Sequence, residues 1–265
     1  MHILHKQASI HYNKYGIGNK ILICFHGYGL QGNSFEYLTN DLAKEYTIFA
    51  IDLPFHGDTV WEEEVTLTPL DVITIINNLA PSSINEKITL LAFSMGGRVA
   101  LQLLENFQDK FEQLILIAPD GLHKNKWQWL ATQTVLGNEL FKFTMKHPLW
   151  LFKIIQLADA CNLLNKSIVK FVHYYIDDTS ERMLLYKRWT VMRMFKPNLS
   201  KLQLQILQNQ TPVKLLFGSL DRIILTKRGI DFKGSNPFIK IHEIHAGHQL
   251  LHPKYAHEII ALFRM

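Results

Sequence analysis

The sequence predicts an α/β fold: a mostly parallel, doubly wound sheet interrupted by one helical insertion. Short apolar runs the length of buried strands alternate along the chain with segments whose apolar residues recur at helical spacing. That order of strand and crossover helix is what a parallel sheet requires. The alternation breaks off once, between Leu122 and Gln210, where no clear strand is found. At 265 residues the chain suits one large domain with an insertion. The expectation is a core built from 1–121 and 211–265, with a helical segment over 122–210 set into it.

Taken in order, Ile10–Tyr15 alternates and opens the sheet. Ile21–Phe25 is a continuous β-branched and apolar run that empties into His26-Gly27-Tyr28-Gly29. A helical spacing over Asn33–Lys44 follows, then a strand at Ile48–Ile51 that ends in Asp52-Leu53-Pro54-Phe55-His56-Gly57-Asp58. Thr68–Leu79 reads as a helix. Ile88–Leu91 reads as a strand, Met95–Phe107 as the helix after it, and Leu114–Ala118 as the next strand, closing on Pro119-Asp120-Gly121. Within the insertion, apolar residues recur through Leu149–Leu164 and Ile168–Ile176. The sheet resumes at Val213–Phe217, followed by Gly218-Ser219-Leu220-Asp221. It ends at Ile239–Ile244, before His245-Ala246-Gly247-His248 and a helix from Pro253 to Arg264.

Chemistry concentrates at the ends of these strands. Ala92-Phe93-Ser94-Met95-Gly96-Gly97 sits between a strand and a helix, and small residues are needed where the two approach. A serine on such a strained turn projects its hydroxyl into a cleft and serves as a nucleophile. The bland alternative is that Ser94 only caps the helix beginning at Met95. A serine hydroxyl is a poor nucleophile at neutral pH. It needs an imidazole to take its proton and a carboxylate to hold that imidazole in the right tautomer. His248 and Asp221 take those roles, each at the C-terminal end of a predicted strand, where an open parallel sheet places its crevice. The backbone N–H groups of Tyr28 and Met95 stand where an oxyanion hole is needed. Asp52 reads as a structural residue that ties down its loop, and His26 and His56 as loop-stabilising residues.

Through His26-Gly27-Tyr28-Gly29, Asp52-Leu53-Pro54-Phe55-His56-Gly57, Ala92-Phe93-Ser94-Met95-Gly96-Gly97, Gly218-x-x-Asp221 and Ala246-Gly247-His248, the chain resembles the α/β-hydrolase superfamily. The resemblance spans nearly all of it except Leu122–Gln210. It implies a serine hydrolase with an acyl-enzyme intermediate, catalytic residues Ser94, Asp221 and His248, and no cofactor. Two positions depart from the pattern, Ala92 for glycine and Phe55 where relatives commonly have glycine. Some relatives carry the acid one strand earlier, which makes Asp120 the rival of Asp221. His245 is the rival base, and the glycine before His248 favours the latter. The elbow Ser94-Met95-Gly96-Gly97-Arg98-Val99-Ala100 also looks like that of the menaquinone-pathway synthase, a lyase on the same fold. There Arg98, Arg182, Arg188 and Arg193 would clamp an anionic substrate. Carbon–carbon bond hydrolysis and a triad-retaining ligand receptor are further alternatives.

Composition narrows the rest. The formal charge is +5, with basic residues spread along the chain and no basic stripe of the nucleic-acid-reading kind. Thirteen histidines invite a metal reading, yet His242, His245 and His248 lack accompanying Cys or Glu at ligand spacing. Cys24 and Cys161 read as reduced core thiols. The polar N-terminus lacks a signal-peptide pattern, which points to a cytoplasmic protein, and Lys146, Lys153 and Asp159 interrupt the greasiest region, so no membrane insertion is expected. The insertion reads as a lid. Its many aromatics, among them Trp127, Phe141, Phe171, Tyr174, Tyr175 and Trp189, are mostly packing residues, with the remainder available to line an apolar pocket for a small or medium ester or thioester.

Overall fold

A computed structural model describes residues 1–62, 65–81, 87–123, 126–160 and 176–265. Eight strands form one sheet: β1 (His2–His5), β2 (Ala8–Tyr15), β3 (Lys20–Phe25), β4 (Tyr46–Ile51), β5 (Ile88–Phe93), β6 (Phe111–Ile117), β7 (Val213–Gly218) and β8 (Ile239–Ile244). Their order is β1-β2-β4-β3-β5-β6-β7-β8. The pairs from β4 to β8 are parallel, and β2 is antiparallel to both of its neighbours. The central strands are mostly apolar because helices cover both faces; every residue of Ile88–Phe93 is buried. From β3 the chain moves to β4 on one side and then to β5 on the other. The sheet's switch point therefore lies between β3 and β5, where open α/β sheets bind their ligands.

The helices are α1 (Thr39–Leu42), α2 (Pro69–Leu79), α3 (Met95–Asn106), α4 (Lys126–Gln133), α5 (Val135–Lys146), α6 (Leu149–Ala160), α7 (Thr179–Val191), α8 (Leu199–Asn209), α9 (Thr226–Lys233) and α10 (Ala256–Arg264). Local chemistry sets several boundaries. Proline opens α2, and Thr68 and Asp71 cap it reciprocally, side chain to backbone. The helix expected over Asn33–Lys44 is instead a 3-10 segment, Gly32–Leu38, followed by the single turn of α1. Its Asn, Ser, Thr and Asp residues compete for backbone hydrogen bonds and disfavour a long α-helix. β1, which the sequence reading did not anticipate, joins β2 through a tight hairpin whose Lys6 has φ +55°.

Two compact units result. One comprises Met1–Glu62, Leu67–His123 and Met194–Met265; the other comprises Glu63–Thr66 and Lys124–Arg193. Helix α8 thus belongs to the sheet unit, although the expected insertion ran to Gln210. Leu202 and Ile206 are fully buried, and polar bonds add to the tie: Gln205 Nε2 donates to Glu105 O, the Lys196 amide to Gln102 Oε1 and the Asn198 amide to Glu105 Oε2. In the second unit the described elements are helices α4 to α7. Phe141 packs against Tyr186 and Trp189 with ring centroids 5.4 and 5.6 Å apart, and Asn138 Nδ2 donates to Thr190 Oγ1. All three rings are half-buried and pack within the insertion. Cys161, Phe171, Tyr174 and Tyr175, and most of the run Ile168–Ile176, lie outside the described residues, as does the Trp127 side chain. Cys24 is a free, buried thiol, and burial pushes its pKa up.

Candidate active site

Strand β5 delivers Ser94 into a conformation that few side chains adopt, φ +47° and ψ −115°. Such a backbone costs on the order of 1–3 kcal/mol and persists only where neighbours hold it. Here the Ser94 amide donates to Ile117 O, and the Ser94 carbonyl accepts from the amides of Gly97 and Asp120 at 2.9 and 2.8 Å. Helix α3 then passes close to β3. A Cβ on Gly96 would lie 2.3 Å from Phe25 O, and one on Gly97 would lie 2.7 Å from Pro119 Cβ, so both positions require glycine. Ala92 sits in the ladder between Phe25 and Leu116, fully buried, and its methyl is accommodated where the usual pattern has glycine.

The Ser94 side chain makes no capping hydrogen bond to α3, which disposes of the bland N-cap reading. Its Oγ instead lies 3.0 Å from His248 Nε2, and His248 Nδ1 lies 2.7 Å from Asp221 Oδ2. A carboxylate only accepts, so Nδ1 carries the imidazole proton and Nε2 is left to accept from the hydroxyl. The other oxygen of Asp221 accepts from the amides of Ile223 and Ile224 at 2.7 and 3.0 Å. Burial opposes ionisation of Asp221, but the bond from His248 and those two amides outweigh it and hold the pKa below its ordinary value. The loops after β7 and β8 meet tightly enough for this contact: a Cβ on Gly218 would lie 2.3 Å from Ala246 O.

The loop after β3 runs beside the serine. A Cβ on Gly27 would lie 2.7 Å from the Phe93 ring and 3.2 Å from Ser94 Cβ, and Tyr28 is the next residue. His26 anchors this loop: its Nδ1 donates to Gly27 O at 2.7 Å, while its Nε2 accepts from the Leu53 amide at 3.0 Å. His56 donates from Nδ1 to Pro54 O at 2.9 Å. Met95 opens α3, where the geometry of a helix start leaves the amide without an acceptor in its own helix.

The rivals fall elsewhere. Asp120 accepts from Arg98 Nη2 at 2.6 Å and from the Gly121 amide at 2.7 Å, while the His248 imidazole goes to Asp221. His245 is exposed, with Nδ1 3.5 Å from Ser219 Oγ. Arg182 donates to the carbonyls of Met145, Ile176 and Asp177, and with Arg98 given to Asp120, two of the arginines proposed as substrate clamps have structural partners. His242 has its pKa lowered by burial and by Lys240 and Lys214. Two contributions escaped the sequence reading. Phe93 packs its ring 5.4 Å from that of His248, and the Asp120 amide supports the Ser94 carbonyl. The first had a signal in the motif itself, since Phe93 directly precedes the serine.

Comparison with known proteins agrees with this architecture. The family model described as "alpha/beta hydrolase fold" matches residues 20–253. A pimeloyl-[acyl-carrier protein] methyl ester esterase from Nitrosomonas europaea is 26% identical over 231 residues, covering 82% of each chain. The uncharacterized hydrolase YugF of Bacillus subtilis is 21% identical, covering 82% of this chain and 79% of that one. Among solved structures, the thioesterase domain from the curacin biosynthetic pathway superposes with a TM-score of 0.67 at 16% identity, covering 99% of this chain and 98% of that one. A bromoperoxidase from Bacillus anthracis superposes at 0.63 with 18% identity, covering 97% and 96%. At such identities these structures speak for the fold alone. The model that spans most of the sequence carries the assignment, and the chain belongs to the α/β-hydrolase family.

Proposed function

We propose that the protein is a serine hydrolase that cleaves a small or medium carboxylic ester or thioester through an acyl-enzyme, without a cofactor. Ester hydrolysis has the direct support of the esterase among its relatives. The observation that carries the mechanism is the continuous chain from Ser94 Oγ through His248 to Asp221. Ser94 Oγ attacks the acyl carbonyl carbon while its proton passes to His248 Nε2, and Asp221 steadies the imidazolium that forms. The oxyanion is received by the backbone N–H groups of Met95 and Tyr28. Collapse breaks the bond to the alcohol or thiol, which leaves with the proton from His248. Water, activated by the same imidazole, then releases the acid and restores Ser94. We assign the choice of acyl group to the helical insertion acting as a lid.

Labelling with a fluorophosphonate, compared between wild type and Ser94→Ala and followed by turnover of p-nitrophenyl esters of graded chain length, tests this reading. Labelling that vanishes in Ser94→Ala, together with sustained ester turnover, supports it. Labelling without turnover would retain the nucleophile and return weight to the lyase, carbon–carbon hydrolase or receptor alternatives. Absence of labelling in folded wild type would overturn the reading. Because the oxyanion donors are backbone groups, Met95→Ala and Tyr28→Ala are expected to cost far less than Ser94→Ala; equal losses would contradict that assignment.

A further inference from the structure

The positive charge of this protein is not shared evenly once acidic residues are subtracted. Residues 124–193 hold eleven Lys and Arg against five Asp and Glu, whereas the remainder of the chain holds seventeen against eighteen. The entire excess sits in the helical insertion. The same segment displays apolar side chains to solvent in a pattern. On α5, Leu136, Leu140 and Phe143 are 85%, 55% and 53% exposed, and their spacing of four and three residues puts them on one face. On α6, Ile154 and Leu157 are 54% and 69% exposed, also three residues apart. Lys146 and Lys153 are exposed on these two helices, and Lys142 is partly so, with its ammonium group 6.0 Å from the Tyr186 ring centroid. Glu139 and Asp159 are the acidic residues of the pair.

We propose that the helical insertion docks the protein on an anionic lipid surface, with these aliphatic and aromatic side chains entering the headgroup boundary and the lysines facing acidic headgroups. Helices with an exposed apolar stripe beside lysines lie in a bilayer interface for that combination of reasons. An acidic protein surface would answer the charge but leave five large apolar side chains without a reason to be exposed. A second copy of this chain would set two positively charged segments against each other. Docking of this kind is peripheral: among the described residues no helix is long and apolar enough to cross a membrane.

Co-sedimentation of the full chain with phosphatidylcholine vesicles, with and without phosphatidylglycerol, tests the proposal. Wild type is expected to sediment with the phosphatidylglycerol vesicles and to be released by salt. At about fivefold per lysine, K142Q/K146Q/K153Q weakens partitioning on the order of 100-fold. L136Q/L140Q/F143Q weakens it at least about tenfold. All six positions are at least partly exposed, so both variants should melt as the wild type does; a variant that does not is replaced by its single substitutions. No sedimentation at either composition overturns the proposal, as does equal binding to neutral vesicles or binding unaffected by either variant. A concentration-dependent dimer that the L136Q/L140Q/F143Q variant abolishes, without vesicle binding, would give the face to a second copy and overturn it too.

Discussion

Among the described residues, two of the His–Asp pairs share nearly the same inner geometry and differ in their surroundings. His248 Nδ1 and Asp221 Oδ2 are 2.7 Å apart; His11 Nδ1 and Asp52 Oδ2 are 2.8 Å apart. Both carboxylates are buried and both are held by backbone amides, Asp221 by Ile223 and Ile224, Asp52 by Gly32 and Asp58. The pairs diverge at the far ring nitrogen. His248 Nε2 faces the Ser94 hydroxyl at 3.0 Å, whereas His11 Nε2 faces the Asp58 carboxylate at 3.9 Å. A carboxylate offers no proton to remove, so the second pair braces the loop after β4 instead of activating anything. A buried His–Asp contact does not by itself mark a catalytic base; the role proposed for His248 rests on the hydroxyl beyond its imidazole.

The largest expected effect separates the two pairs by activity. With the fold retained, Ser94→Ala is expected to lower kcat on the order of a million-fold, and Asp221→Asn about ten-thousand-fold by freeing the tautomer. Asp52→Asn, at the equivalent place in the brace, is expected to leave kcat per folded molecule near wild type. It should lower stability by about 1–3 kcal/mol, because an asparagine keeps one acceptor oxygen where the carboxylate has two and cannot serve His11 and the Gly32 and Asp58 amides together. Ester turnover beside urea denaturation of each variant decides it. A collapse of kcat in Asp52→Asn at unchanged stability would erase the distinction.

A smaller effect follows from the depressed pKa of Asp221. The folded protein holds this carboxylate ionised at a pH where the unfolded chain has already taken up the proton. The resulting stabilisation is complete above the unfolded pKa of about 4 and is lost as pH falls through the lower folded value. Asp221→Asn removes it. Thermal melts of wild type and Asp221→Asn should therefore differ fully at neutral pH and converge as the solution is acidified below about pH 4. A gap that persists unchanged into the acid range would mean that His248 and the two amides do not favour the carboxylate.

What the sequence made legible tracks the range of the forces involved. Buried parallel strands such as Ile88–Phe93 are continuous apolar runs, and a strained serine turn needs small residues beside it, so the sheet and the Ser94, Asp221 and His248 positions were visible locally. The edge strand β1 was not, because His2–His5 is half exposed and shows only a weak alternation. Helix α8 has an amphipathic period that is the same whichever unit it packs against, so its membership of the sheet unit depends on contacts with Glu105 about a hundred residues away. The Arg98–Asp120 pair, between α3 and the loop after β6, and the contact of Asp52 with His11 of β2 are likewise products of tertiary packing, which a linear reading of residue types does not specify.

The smallest expected effect concerns backbone strain, which both regions carry. Ser94 has φ +47° beside one pair, and Phe55 has φ +61° in the loop that Asp52 braces. At Ser94 the strain aims a hydroxyl; at Phe55 it aims only a half-buried ring. An L side chain in this region costs about 1 kcal/mol that glycine does not pay. Phe55→Ala loses the ring contacts and keeps the strain, whereas Phe55→Gly loses the same contacts and relieves it. Glycine is therefore expected to be the more stable replacement by about 1 kcal/mol, the reverse of the order at an ordinary position, where glycine is the costlier choice. Both variants should keep wild-type kcat, since the ring takes no part in the hydrogen-bonded chain to Ser94. Alanine proving the more stable of the two would show that the loop relaxes out of the left-handed region once the ring is gone, and that the Asp52 brace does not impose it.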